Sequence, residues 1–436
     1  MDVSLNYGKK SLRVSLDKDW EATIIEKQNM PIIEDPVAAI SDAFSIGNES
    51  GSLEEVAKGK SSACILICDI TRPVPNGIIL EQLIDRLITA GIKKDRITVL
   101  VATGLHRPNK GDELLEIVGS KKVLEMVSVK NHYARKNEDH ITLCTSTSGL
   151  PIKIDKRFVH TDLRIVIGLV EPHFMAGYSG GRKLVIPGIA HHKTICGFHT
   201  AKFLEHPAAR TCNLKGNPFH EFQIEGIRKL SNLFAVNVVI DEKRNLSFVN
   251  FGDIEKSHAL AIKYLKQYAE VKICQKFSTI LTSAGGYPLD KTYYQTVKSM
   301  VTAMDILEPG GDIIVVSECS EGMGSDEYLT AQKLLFKLGE QSYLEWLKSH
   351  KFAEVDEWQT EMQLKPMGLG NIHLYAPNLS QKDKKYTCVN IVSDLNKTIK
   401  DSIQRSSNHK IAVIPEGPYV IPNYEKENES TGKHSA

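Results

Sequence analysis

The chain has 436 residues, with 54 Lys and Arg set against 53 Asp and Glu, for a formal charge of +1. With 42% hydrophobic and 25% charged residues it reads as an ordinary globular protein, with no electrostatic reason to expect a nucleic acid or a membrane surface as partner. It is longer than a single core usually supports, roughly 250–300 residues, so two domains are expected.

The N-terminus, MDVSLNYGKK, lacks the apolar core of a signal peptide, and no run approaches the ~20 apolar residues needed to span a bilayer. The eight cysteines are scattered without a CxxC pair, which fits a reducing, cytoplasmic setting. From there the chain alternates short β-rich runs with longer amphipathic stretches. Residues 64–70 read as a buried strand, 78–91 as a helix and 96–104 as the next strand. Further strands are expected at 163–170, 234–241 and 246–252, with a helix over 253–270. The rhythm then restarts: a strand at 278–286, a helix at 291–304 and a strand at 311–319. Helical segments around 327–349 and 353–366 and strands at 372–377 and 410–417 complete the series. The expected fold class is α/β: two α/β domains with mainly parallel sheets, helices on their faces and the active site in the interdomain cleft. The boundaries are set at 1–270 and 271–420, followed by a polar tail at 421–436, and the last strand can join either sheet.

In open parallel sheets ligands gather at the carboxyl ends of the strands, and four unusual segments fall there. DITRPVPN (69–76) is a loop stiffened by two prolines, holding Asp69 and Arg72 three residues apart. ATGLHRP (102–108) places His106 just past a strand. EPHFMAGYSGGRKLVIPGIAHHKTICGFHT (171–200) is glycine-rich around Gly180 and Gly181 and is bracketed by His173, Lys183 and His199. It lacks both the P-loop and the GxGxxG spacing. In GGYPLDKTYYQTVK (285–298), Gln295 and Lys298 are three residues apart and share one helix face, from which they can grip a carboxylate together. Taken singly, each segment also has a plain structural reading: a surface ion pair, a solvated histidine, a tight turn or a solvated helix face.

Taken in order, the motifs resemble the nickel-pincer-nucleotide-dependent lactate racemase family of 2-hydroxyacid racemases and epimerases. The resemblance runs from about residue 60 to about 420. It is carried by DxTRP at 69–73, TGxHR at 103–107, EPHFMAGYSGGRK at 171–183, His199, GGYPxDxxxYQxxK at 285–298, EGxGS at 321–325 and VIPEGPYVIP at 413–422.

The resemblance implies a racemase or epimerase that inverts C2 of a lactate-like 2-hydroxy acid by reversible hydride transfer. The implied cofactor is the nickel-pincer nucleotide, pyridinium-3,5-bisthiocarboxylic acid mononucleotide with Ni, supplied by separate biosynthetic enzymes. The acid/base pair falls on His106 and His173, the metal ligand on His199 and a covalent tether on Lys183. Substrate contacts fall on Arg72, Gln295 and Lys298. Cofactor contacts fall on Asp69, Ile70, Thr71, Arg72, Gly180 and Gly181. A sulfur–carbon–sulfur pincer plus one imidazole suits the planar four-coordination of Ni(II), and two imidazoles suit a reaction that needs a base on each side of the substrate. Met175 and Lys291 depart from common family residues. His191 and His192 read as exposed histidines at a helix start, with no role. Tyr293, Tyr294 and Met175 suggest an apolar pocket wall, and Trp358 reads either as a cover over the pocket or as core. The competing readings are a non-catalytic carrier of the nickel cofactor and a metal-dependent hydrolase built on the histidines, although HExxH is absent.

Overall fold

The structure, a computed structural model, describes residues 1–241 and 243–426. The chain divides into two compact α/β units. One comprises Asn29–Tyr268 and His350–Ala353; the other comprises Met1–Gln28, Ala269–Ser349 and the chain from Glu354 onward.

The first unit is built on a six-stranded sheet ordered Leu246–Asp253, Leu233–Ile240, Leu163–Leu169, Ala63–Cys68, Ile97–Ala102 and Ser128–Asn131. All pairings are parallel except that of Leu246–Asp253, which turns back on its predecessor. Because helices cover the sheet, the central strands are apolar on both faces. Every residue of Ala63–Cys68 and Leu163–Leu169 is buried, although Arg164 is not apolar. The helix Asn76–Thr89 packs Ile79, Leu80, Leu83, Ile84 and Leu87 into the same core, an i, i+3, i+4 stripe. From Ala63–Cys68 the chain first builds outward through Ile97–Ala102 and Ser128–Asn131, then returns to place Leu163–Leu169 on the opposite flank. That reversal opens a crevice at the carboxyl ends of Ala63–Cys68 and Leu163–Leu169, the usual ligand position in such sheets.

The second unit has a fully parallel six-stranded sheet ordered Asn390–Ile391, Asn371–Tyr375, Leu307–Val316, Phe277–Ser283, Lys410–Ile414 and Glu21–Ile24. The last long strand therefore stays in this sheet, beside Phe277–Ser283. Two boundaries differ from the sequence expectation. Residues 1–28, expected in the first domain, belong to the second unit, because Glu21–Ile24 pairs with Lys410–Ile414. The hairpin Asp2–Tyr7/Lys10–Ser15 buries Val3, Leu5, Val14 and Leu16 in the same unit's core. Of the tail expected from 421, Ile421–Tyr424 is a strand paired with Glu270–Ile273, while 427–436 lie outside the described residues. The single helical segment expected at 327–349 is two helices, Asp326–Leu338 and Glu340–Lys348, broken at Gly339 with φ +77°. Among the described residues no helix is long and apolar enough to cross a membrane. All eight cysteines are free thiols, and Cys64 and Cys68 are buried as expected.

Candidate active site

The turn after Ala63–Cys68 carries Asp69. Its carboxylate is 5% exposed and accepts hydrogen bonds from Thr71 through Oγ1 (2.5 Å) and the backbone N–H (3.2 Å). Its other oxygen meets His106 Nδ1 at 2.6 Å. Burial opposes ionisation of Asp69, but the bonds from His106 and Thr71 outweigh it and hold the carboxyl below its ordinary range. An ionised carboxylate can only accept, so His106 donates through Nδ1–H, and in the neutral ring Nε2 carries the lone pair. The imidazole side chain is 63% exposed, so a buried anchor orients a ring that solutes can reach. The sequence places Asp69 among the cofactor contacts, whereas the structure gives it the further task of orienting His106.

Replacing Asp69 by Asn removes the charge but keeps the shape. The expected result is an activity loss of about 10–100-fold, the usual cost of losing an orienting partner. An unchanged rate would reduce Asp69 to a packing residue.

After Leu163–Leu169 the chain forms a two-residue antiparallel ladder, pairing Pro172 with Tyr178 and His173 with Gly177. The tight reversal aims the N–H groups of Met175 (3.3 Å) and Ala176 (3.1 Å) at His173 Nδ1. That nitrogen accepts both bonds, so the neutral ring carries its proton on Nε2. Both rings are thus held through Nδ1, His106 as a donor to a carboxylate and His173 as an acceptor from the backbone. Arg72 is ion-paired with Glu171, bridging the turns that follow Ala63–Cys68 and Leu163–Leu169. Glu171 was missed as a partner, although it stands at a strand end inside the EPHF motif. The Ile70 side chain is partly buried against the apolar core.

Gly180 (φ +78°) and Gly181 (φ +45°) lead into the short helix Arg182–Val185. A Cβ on Gly180 would lie 2.7 Å from Val170 Cγ2, and one on Gly168, in the strand beneath, would lie 2.9 Å from the Gly181 nitrogen. The loop is therefore seated directly on the strand, and its glycines answer to packing as much as to any ligand. Lys183 is fixed by its N–H to Gly180 O (3.0 Å) and by Gly188 N–H to its own carbonyl (3.2 Å). Gly104 N–H reaches Gly188 O (2.8 Å), tying the His106 turn to the same loop. Arg182, just before Lys183, is 1% exposed and donates to the carbonyls of Ala176 and Tyr178 and to His258. Burial pushes its pKa down to about 9.

His199 ends the helix His192–Phe198 and donates Nδ1–H to Ile195 O at 2.9 Å, so the neutral ring carries its lone pair on Nε2. Burial drives its pKa down to about 4; the Ile195 bond opposes the fall and the Lys183 charge adds to it. The ring is therefore neutral near pH 7, the state a metal ligand needs. Among the described residues no three His, Cys, Asp or Glu side chains converge as a metal cage.

His191 and His192 correct the sequence reading in part. His191 does start the helix, capping it as Nδ1 accepts from Lys193 N–H, but it is only 1% exposed. It belongs to a string of rings, His132, His140, His191 and His192, with centroids 4.3–5.1 Å apart. Tyr293 is also corrected from pocket wall to core: it is fully buried, with its hydroxyl donating to Thr387 O. Trp358 is 8% exposed.

In the second unit, Gln295 and Lys298 sit one turn apart on the helix Tyr293–Ala303, each partly exposed. Gln295 Oε1 is buried without a hydrogen-bond partner among the described residues.

Residues 7–212 match the family model for the lactate racemase N-terminal domain, and residues 273–421 match that for the C-terminal domain. The lactate racemase of Thermoanaerobacterium thermosaccharolyticum is 30% identical over 433 residues, covering 96% of this chain and 99% of that protein. The lactate racemase of Lactiplantibacillus plantarum is 30% identical over 428 residues, with the same two coverages. The solved apoprotein structure of the T. thermosaccharolyticum lactate racemase matches with a TM-score of 0.89 at 29% identity, over 97% of this chain and 99% of that one. A solved Thermotoga maritima protein shares the fold more loosely, with a TM-score of 0.63 at 18% identity, over 86% of this chain and 97% of that one. On this near full-length likeness, the chain belongs to the lactate racemase family of isomerases.

Proposed function

We propose that the protein inverts C2 of a 2-hydroxy acid, with lactate the first candidate because it is named in both full-length relatives. The observation that carries this reading is a pair of imidazoles each anchored at Nδ1, His106 by the Asp69 carboxylate and His173 by two backbone N–H groups. Racemisation needs a group that takes the hydroxyl proton of one enantiomer and a second that delivers a proton when the other is formed. His106, backed by Asp69 at Nδ1, takes the hydroxyl proton of one enantiomer at Nε2. His173 serves the other enantiomer once a proton on Nδ1 replaces the two backbone N–H bonds, and each histidine gives its proton back as an imidazolium. Arg72, Gln295 and Lys298 are assigned to the substrate carboxylate, with the Arg72 fork already aligned by Glu171.

The group assigned to the site is the nickel-pincer nucleotide, made by separate enzymes. His199 Nε2 would ligate the metal, Lys183 would tether the nucleotide, and Asp69, Ile70, Thr71, Arg72, Gly180 and Gly181 would line it. The donor chemistry fits: a single neutral imidazole with no companion cage leaves room for a metal that brings its own ligands. When bound, the group supplies the acceptor that takes the substrate's α-hydrogen with its electron pair and returns it to either face. A carrier would have no use for a carboxylate-anchored His106, and a hydrolase would need a metal cage that is not found among the described residues.

The test is protein produced alongside the cofactor-synthesis enzymes, followed by intact mass, nickel analysis and polarimetry on a panel of D-2-hydroxy acids. Stoichiometric nickel, an adduct lost in Lys183→Ala and inversion of one panel member are expected. Nickel-free, inert protein would overturn the reading.

A further inference from the structure

We infer that the N-terminal hairpin is a positioning element for the helix that carries Gln295 and Lys298, acting through the Gly8 backbone and the buried carboxyl of Asp290. The inference rests on the carboxylate-binding reading of that helix given above.

The hairpin turns at Gly8 and Lys9, between the facing residues Tyr7 and Lys10. Gly8 lies at φ +52°, a conformation that favours glycine. Its N–H donates to Asp290 Oδ2 at 2.6 Å, and its carbonyl accepts from Tyr287 N–H at 2.7 Å. Asn6 N–H reaches Pro415 O (3.0 Å), and the Lys9 ammonium lies 4.8 Å above the Tyr287 ring. The hairpin tip is therefore bonded on both sides to the GGYPLD turn and to the turn after Lys410–Ile414.

Asp290 carries the connection inward. It is fully buried, and Oδ2 also accepts Glu318 N–H at 3.3 Å. Its carbonyl accepts Cys319 N–H at 2.8 Å. Three chain segments thus converge on one residue: the hairpin tip, the GGYPLD turn and the turn after Leu307–Val316. Glu318 N–H and Cys319 N–H join that turn to the loop that follows it, and the loop holds the start of the helix. Lys291 pairs with Glu321, whose N–H returns to Lys291 O at 2.7 Å. The N–H groups of Tyr293 and Tyr294 donate to Gly322 O (2.9 Å) and Met323 O (3.0 Å). This matters because Thr292, the residue before the helix, makes no side-chain cap. The first orphan N–H groups are satisfied from outside, so the loop fixes the direction of the first turn, and Gln295 lies on that turn.

Burying apolar hairpin side chains requires none of these bonds, so a purely structural hairpin and a positioning one make different predictions. The comparison uses full-length, cofactor-loaded wild type, Gly8→Ala, Asp290→Ala, Asp290→Asn and Gln295→Ala, assayed with D-lactate. Amide exchange over residues 293–298 is followed in the same chains. Gly8→Ala and Asp290→Ala are expected to raise KM roughly tenfold with kcat little changed, and to speed exchange roughly tenfold, as for one lost charge-assisted bond. Asp290→Asn keeps an acceptor at the Oδ2 position and should restore both. A Cβ on Gly8 meets only the tip of the Glu318 side chain, 2.5–2.8 Å away, which can swing aside. Gly8→Ala keeps the N–H, but at φ +52° alanine is strained, and relieving that strain turns the N–H away from Asp290, so this variant decides the matter even if Asp290→Ala does not fold. Unchanged KM and unchanged exchange in folded Gly8→Ala would overturn the inference. If Gln295→Ala leaves KM unchanged, the carboxylate reading fails instead, and exchange alone then judges the hairpin.

Discussion

Glutamine in place of His106 or of His173 is expected to lower turnover by roughly 10²–10⁴-fold, the usual worth of a positioned acid or base, while nickel content and folding stay unchanged. His106 is mostly exposed and bonds to Asp69, and His173 accepts from two backbone N–H groups and stacks on Phe174. Glutamine offers polar atoms of similar reach but does not exchange a proton near neutrality. The pH profile adds a second readout, because an acid and a base together give a bell-shaped profile. Each variant should lose one limb of that bell. A drop of less than tenfold in both variants would remove the pair from the chemistry and leave the carrier reading standing.

Below about pH 6.5 the unit Asn29–Tyr268 is expected to lose stability steeply. Burial depresses His132 well below its ordinary value, His191 to about 4, and His220 and His258 to about 3. Neighbouring rings and Arg182 add to the effect. Each titrates near 6.5 when unfolded and lower when folded, so between those values the unfolded chain binds more protons. Stability is therefore complete above about pH 6.5 and is lost progressively as pH falls toward the folded values. The slope is at most about 1.4 kcal/mol per pH unit for each histidine, against a typical total of roughly 5–15 kcal/mol. Urea unfolding at pH 7.5, 6.0 and 5.0 checks this. Equal midpoints at all three would mean that the rings accept protons in place, and His258→Gln should flatten the dependence.

The long apolar strands were legible because sheets covered on both faces leave near-continuous hydrophobic runs, as in Ala63–Cys68 and Phe277–Ser283. Glu21–Ile24 was not: four residues with one charge carry little pattern, and their partner lies at the far end of the chain. The site residues could be named from ordered motifs, but not how they are held. The bond from His106 to Asp69 spans 37 positions, and no local spacing encodes it. His191 was misjudged because a polar residue at a helix start is usually solvated, whereas here the string of rings seals it in. Lys183 was readable as a site residue; the buried guanidinium of its neighbour Arg182 was not, since a lone arginine in sequence reads as surface.

The seating of the glycine loop on Gly168 works as a gauge. Because Gly168 brings no side chain of its own to the contact with Gly180 and Gly181, the height of Lys183 above the sheet is set at that point by backbone thickness, which does not vary with rotamer as a packed side chain would. A reach fixed in this way tolerates little drift: one methyl group added at Gly168 would raise the whole platform.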